Sequence, residues 1–215
     1  MDKTSLRRDL EQLDFFRYTD PQYFETVENE LIDNIINKQA FLVPWGKERQ
    51  NIDGRLFSID SESLTEGGAL DLFNEVRPSL EKAGLKVYKV EQVFEDNAGS
   101  KRPIYTFILN NRSSNLSRVP LIPFLLWGLV TVKYLKFLNR ELRRSKIKER
   151  FYLMNDSSSD TELAFLTPAQ AKFINSLNLN PNDKVYKPGL LMIFRPALQI
   201  IRVIFIAMFR KKVKE

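Results

Sequence analysis

Two apolar segments, each running directly into a basic cluster, constrain this 215-residue chain more than any other feature. No residue from Leu121 to Val132 is charged, and Lys133, Lys136, Arg140, Arg143 and Arg144 follow. Residues 189–209 repeat the pattern, with Arg195 and Arg202 inside the run and Arg210, Lys211, Lys212 and Lys214 after it. At about 100° per residue, the five cations of the first segment share one helix face, and Leu135, Leu138 and Leu142 lie roughly opposite. The spacing predicts a helix from about Phe124 to Arg150. A second helix is expected to start at Pro196, a residue suited to a first turn, and to run to about Lys212.

Neither segment suits a full bilayer crossing. A spanning helix needs about 20 mostly apolar residues. The uncharged core of the first segment has 12, about 18 Å of helix against a hydrocarbon layer of about 30 Å. In 190–209, twelve Leu, Ile, Phe and Val contribute about −3.6 to −7.2 kcal/mol to insertion, and two Arg cost about +5 to +7 kcal/mol. A hairpin of two spans would also put the basic start of the 139–188 loop opposite the basic tail, against the positive-inside rule. Two helices lying in one leaflet let all these cations meet the same anionic headgroups. The expectation is a monotopic attachment. Leu125, Leu126, Trp127, Leu129, Ile200, Ile204 and Phe205 would contact the membrane. Lys133, Lys136, Arg140, Arg143, Arg144, Arg210, Lys211 and Lys212 would bind anionic headgroups.

Charge divides the chain in the same place. Residues 1–118 carry 16 Lys and Arg against 20 Asp and Glu, a net −4; residues 119–215 carry 17 against 7, a net +10. The expected organisation is an α+β domain over 1–118 and a basic helical region over 119–215. In that region the two amphipathic segments, 119–150 and 189–212, are joined by a polar loop and a short helix. The start, MDKTSLRRDLEQLDFF, shows no apolar secretory core, which points to the cytoplasmic face of the membrane.

The front half reads as αα-ββ-α-ββ with a mixed or antiparallel sheet. Helices are expected over 4–14 and 21–38, the second with Asp20 as N-cap and Pro21 in the first turn. Strands are expected over 40–44 and 55–60. Leu70, Phe73, Val76, Leu80 and Ala83 mark a helix ending at Gly84, with a kink or break near Val76 caused by Pro78. Runs 86–94 and 103–109, separated by turn formers, predict a hairpin. In the back half, Asn155–Asp160 reads as a loop, Thr167 and Pro168 open a helix with Phe173, Ile174 and Leu177 on its apolar face, and 178–189 reads as a loop.

Chemistry is constrained mainly by absence. With no cysteine and no histidine, disulfides, thiol nucleophiles, thiolate zinc sites and His-dependent triads are excluded. No phosphate-binding glycine loop or nucleophile elbow occurs, and no cofactor is implied. Asp53, Asp60, Glu62 and Glu66 are the candidate set for a carboxylate-dependent enzyme, with Lys86 and Lys89 nearby. Tyr134, Phe137, Phe151 and Tyr152 interleave with cations as in a nucleic-acid surface. The uncharged run upstream has no use in that role. The preferred reading is therefore a non-enzymatic scaffold or partner-binding protein held on an anionic membrane surface, with an unknown protein as partner. A soluble nucleic-acid-binding protein and the carboxylate enzyme are the alternatives.

Overall fold

The computed structural model describes residues 2–41, 52–95, 104–117, 123–157 and 160–189. The fold is mixed α and β, with six α-helices among the described residues and two antiparallel three-stranded sheets. The helices are α1 (Lys3–Gln12), α2 (Phe24–Asp33), α3 (Ser61–Glu66), α4 (Ala69–Lys82), α5 (Pro123–Arg144) and α6 (Pro168–Ser176). The strands are β1 (Leu56–Asp60), β2 (Val90–Glu95), β3 (Ile104–Leu109), β4 (Arg112–Asn115), β5 (Arg150–Ser157) and β6 (Asp160–Leu166).

One sheet has the order β1-β6-β5 and is buried on both faces over residues 151–154 and 163–166, while Ser58 and Asp60 of β1 are exposed. Phe57, Ile59, Phe151, Leu153, Leu163 and Phe165 point into a core shared with α4, α5 and the other sheet. Tyr152, Met154, Ala164 and Leu166 point the opposite way, into a second core built with α1, α2 and α6. This alternation follows from the two-residue period of a strand. It explains the unbroken apolar runs Phe151–Met154 and Leu163–Leu166, since a strand covered on both sides cannot alternate polar and apolar residues. The second sheet, β2-β3-β4, packs on α4 and α5 through Phe107, whose ring meets Phe73, Tyr134 and Phe137 at centroid distances of 5.6, 5.2 and 6.0 Å.

Several elements stand where the residue pattern puts them. Asp20 accepts a hydrogen bond from Gln22 N, and Thr167 forms a reciprocal capping box with Gln170 at the start of α6. Within the 86–94 and 103–109 runs, Val90–Glu95 and Ile104–Leu109 pair antiparallel as β2 and β3, whereas 86–89 are not strand and residue 103 lies outside the described residues. Helix α4 lacks a side-chain cap of its own at Gly68. Its first N–H groups are capped from the second sheet: Ala69 N donates to Tyr105 Oη at 2.9 Å and Leu70 N to Gln92 Oε1 at 3.1 Å. Burial pushes the Tyr105 hydroxyl up to about 12.

Other expectations are corrected. Asn155–Asp160 is not a loop: β5 and β6 continue through most of it. The 119–215 region is accordingly not all helix, and β1 pairs with β6 across the expected boundary at residue 118. The front half holds one antiparallel sheet of its own, β2-β3-β4, while β1 joins the hairpin of the back half. The front-half strands are thus divided between two sheets, with β4 added after a turn in which Asn110 and Asn111 both take positive φ (51° and 63°), the geometry of a tight hairpin turn. Ala40 and Phe41 are not strand, and 42–44 lie outside the described residues. Helix α4 runs through Pro78, which sits on the exposed side, where the carbonyl left without a partner can meet water. Helix α5 stops at Arg144 rather than near residue 150. Lys146, at φ 58°, turns the chain, with Lys146 N donating to Arg143 O and Ile147 N to Leu142 O, both at 3.0 Å. That is a Schellman ending with lysine where glycine is usual.

Candidate anion-binding groove

Helix α5 positions the site. Its inner face, Val130, Tyr134, Leu135, Phe137, Leu138 and Leu142, is buried in the core. The cations at 133, 136, 140 and 143 are thereby turned outward. Strand β5 starts beside this outer face because Asn139 ties it there: Asn139 Nδ2 donates to Phe151 O at 2.9 Å, and Phe151 N donates to Asn139 Oδ1 at 2.8 Å. The segment after α6 closes the other side. Tyr186 and Leu153 exchange two backbone hydrogen bonds, each 2.8 Å, bringing Lys187 and Pro188 alongside.

The result is a cavity of about 660 Å³ lined by Lys133, Lys136, Arg140, Arg143, Arg150 and Lys187, with Asn139, Phe151 and Tyr152 among the remaining walls and no carboxylate among the described lining residues. Lys136, Arg140, Arg143, Arg150 and Lys187 form no ion pair with a carboxylate among the described residues. Arg150 is oriented by its own backbone surroundings, Nη1 donating to Ile147 O at 2.6 Å and Glu149 O at 2.5 Å. Burial and then the neighbouring Arg143 lower its pKa, so the cations of the groove are crowded. Such a site can hold anions, above all phosphates, which accept several charge-assisted hydrogen bonds at once.

A neighbouring cavity of about 750 Å³ shares Arg143, Arg150 and Pro168 and adds Arg17, Lys146 and Lys148. Its buried Glu149 accepts from Tyr18 Oη at 2.8 Å and pairs with Arg17 at 3.6 Å. Burial, reinforced by Glu149, raises the Tyr18 pKa.

The structure gathers four of the eight cations expected to bind headgroups, Lys133, Lys136, Arg140 and Arg143, into one groove. Arg144 stands apart, bonded to the buried Glu141, which Arg112 also meets at 3.4 Å. Arg210, Lys211 and Lys212 lie outside the described residues, as do Ile200, Ile204 and Phe205. Leu129 is half-buried; Leu125, Leu126 and Trp127 belong to the first turns of α5, and their side chains lie outside the described part. Arg150 belongs to the basic run expected after the first apolar segment, though not to the expected headgroup ligands, and Lys187 and Asn139 carry no such expectation. No linear pattern links them to α5; strand pairing and the Asn139 clamp do.

The alternatives fare differently. Tyr134, Phe137, Phe151 and Tyr152 are all buried, at 0, 2, 0 and 4% exposure, so none offers an open face for a base to stack on. Asp53 is buried against Arg55, and Asp60 caps α3 by accepting from Glu62 N and Ser63 N. Among the described residues no group of three acidic side chains is placed to hold a metal ion, and no helix is long and apolar enough to cross a membrane. The chain matches no protein-family model, and it shows no significant similarity to a curated protein or to a solved structure.

Proposed function

We propose that this is a non-enzymatic protein that docks on an anionic membrane surface at the cytoplasmic face, where it serves as a scaffold or partner-binding module. The supporting observation is that the groove, with no carboxylate among its described lining residues, is lined by residues next to both apolar segments in the sequence. Lys133 and Lys136 follow the uncharged run of α5, and Lys187 and Pro188 stand directly before the apolar run that starts at residue 190. Apolar segments flanking a cation cluster are the arrangement that joins insertion into the interface to headgroup attraction. Nucleic acid would satisfy the same cations, but it has no use for the apolar flanks, and the aromatic side chains that would serve it are buried.

The test is cosedimentation of the full chain with vesicles at physiological salt. Pelleting with phosphatidylcholine vesicles that contain phosphatidylserine, and not with phosphatidylcholine alone, is the expected result. Recovery in the supernatant with both overturns the reading. A DNA duplex that binds more tightly than the anionic vesicles assigns the cations to nucleic acid instead.

A further inference from the structure

We infer that the groove between α5 and the start of β5 is a pocket for a membrane headgroup carrying several phosphates, of the polyphosphorylated inositol lipid class, and not a surface that senses diffuse charge. This rests on the membrane reading above and specifies its ligand.

Concavity is the first argument. A basic amphipathic helix that merely lies on headgroups presents a convex face. Here the helix supplies one wall only, and Arg150 and Lys187 supply others, enclosing about 660 Å³. That is within the range of about 300–1,000 Å³ typical of small-molecule sites.

Charge is the second. Six cations from three separate stretches of chain line one cavity, with no carboxylate among its described lining residues, and five of them, Lys136, Arg140, Arg143, Arg150 and Lys187, form no ion pair with a carboxylate among the described residues. A singly charged headgroup leaves most of that field unbalanced, whereas a headgroup with two or three phosphates, each taking several donors, matches it.

Pre-organisation is the third. The cavity walls are held before any ligand arrives. Asn139 fixes the β5 backbone beside α5, two backbone carbonyls fix one end of the Arg150 guanidinium, and the Leu153–Tyr186 bridge fixes the approach to Lys187. Fixed donors lose less entropy on binding, which favours one shaped polyanion over mobile counterions.

Arg143 and Arg144 give a direct test, because they are adjacent, both exposed and equal in charge, yet only Arg143 lines the groove. The full chain, Arg143→Gln and Arg144→Gln are titrated with phosphatidylcholine vesicles containing either phosphatidylinositol bisphosphate or enough phosphatidylserine to match its surface charge. The expected results are about tenfold tighter binding to the bisphosphate vesicles, and a loss there of about tenfold for Arg143→Gln but no more than about threefold for Arg144→Gln. Soluble inositol trisphosphate should compete for the parent chain. Equal binding to the two charge-matched vesicles, or equal losses in the two variants, overturns the pocket while leaving membrane attachment intact. Failure to bind either vesicle overturns the membrane reading itself, and the lipid assignment with it.

Discussion

Asn139 and Phe151 exchange two hydrogen bonds, at 2.9 and 2.8 Å, so that a helix side chain occupies the backbone positions a neighbouring strand would otherwise take. Strand β5 is the edge of its sheet, and this contact satisfies the edge at Phe151 and holds it beside the cation groove that Asn139 and Phe151 both line. Asn139→Ala leaves a buried N–H and C=O without partners, at a cost of about 1–3 kcal/mol. Urea denaturation should report this loss, together with weakened binding to anionic vesicles. Unchanged vesicle binding in a destabilised but folded variant would remove the positioning role from Asn139.

Lys146 turns the chain out of α5 at φ 58°, a conformation that costs a side-chain-bearing residue about 1 kcal/mol. Lys146→Gly is expected to raise stability by about 0.5–1 kcal/mol, since the relief outweighs the extra freedom of glycine in the unfolded chain. Lys146 also lines the cavity next to the groove, so the same variant should bind anionic vesicles less well. A drop in stability would contradict the left-handed turn.

Asp53 anchors Arg55, the largest fully buried side chain among the described residues. Arg55 Nε donates to Asp53 Oδ1 at 2.7 Å, and the guanidinium lies 3.8 Å from the centroid of the Phe15 ring. Asp53→Ala strands a buried cation and should cost about 3–5 kcal/mol. Adding Arg55→Met to that variant should recover much of the loss, because the uncompensated charge is then gone. Thermal or urea unfolding of the single and double variants distinguishes this structural role from a catalytic one.

Glu162 on β6 has a pKa raised by burial and by Asp183, whose own pKa burial also raises. A carboxyl with a raised pKa in the folded state holds its proton longer than in the unfolded chain. Its stabilising contribution is therefore present at low pH and is lost as pH climbs from the ordinary value of 4.5 through the raised one. Glu162→Gln should consequently gain stability over the parent as pH rises from about 4 to 7. Parallel stability curves for the two proteins across that interval would refute the coupling.

Helices were the most legible part of the sequence. Leu70, Phe73, Val76 and Leu80 mark α4 because a single buried stripe needs helical spacing, and Thr167 with Pro168 marks α6 because a capped start has fixed chemistry. The hairpin β5–β6 was harder to read. Asp156, Ser157 and Asp160 resemble a loop, and only the doubly covered sheet explains the apolar runs beside them. Strand β4, written Arg-Ser-Ser-Asn, has no apolar pattern and is held by its Asn110-Asn111 turn and pairing with β3. The site was half legible. Four groove cations share one face of a helix that periodicity reveals, whereas Arg150 and Lys187 reach it through long-range backbone pairing that leaves no local signature.

The pairing of Leu56 with Ala164 also dictates an order of events during synthesis. A nascent chain must carry β1 without its partner until the hairpin ending at Leu166 has left the ribosome, and an unpaired strand edge invites wrong associations. Lys187 arrives later still. Assembly of the groove is thus among the last steps of folding, and a chain interrupted before residue 187 would lack one of the groove's walls.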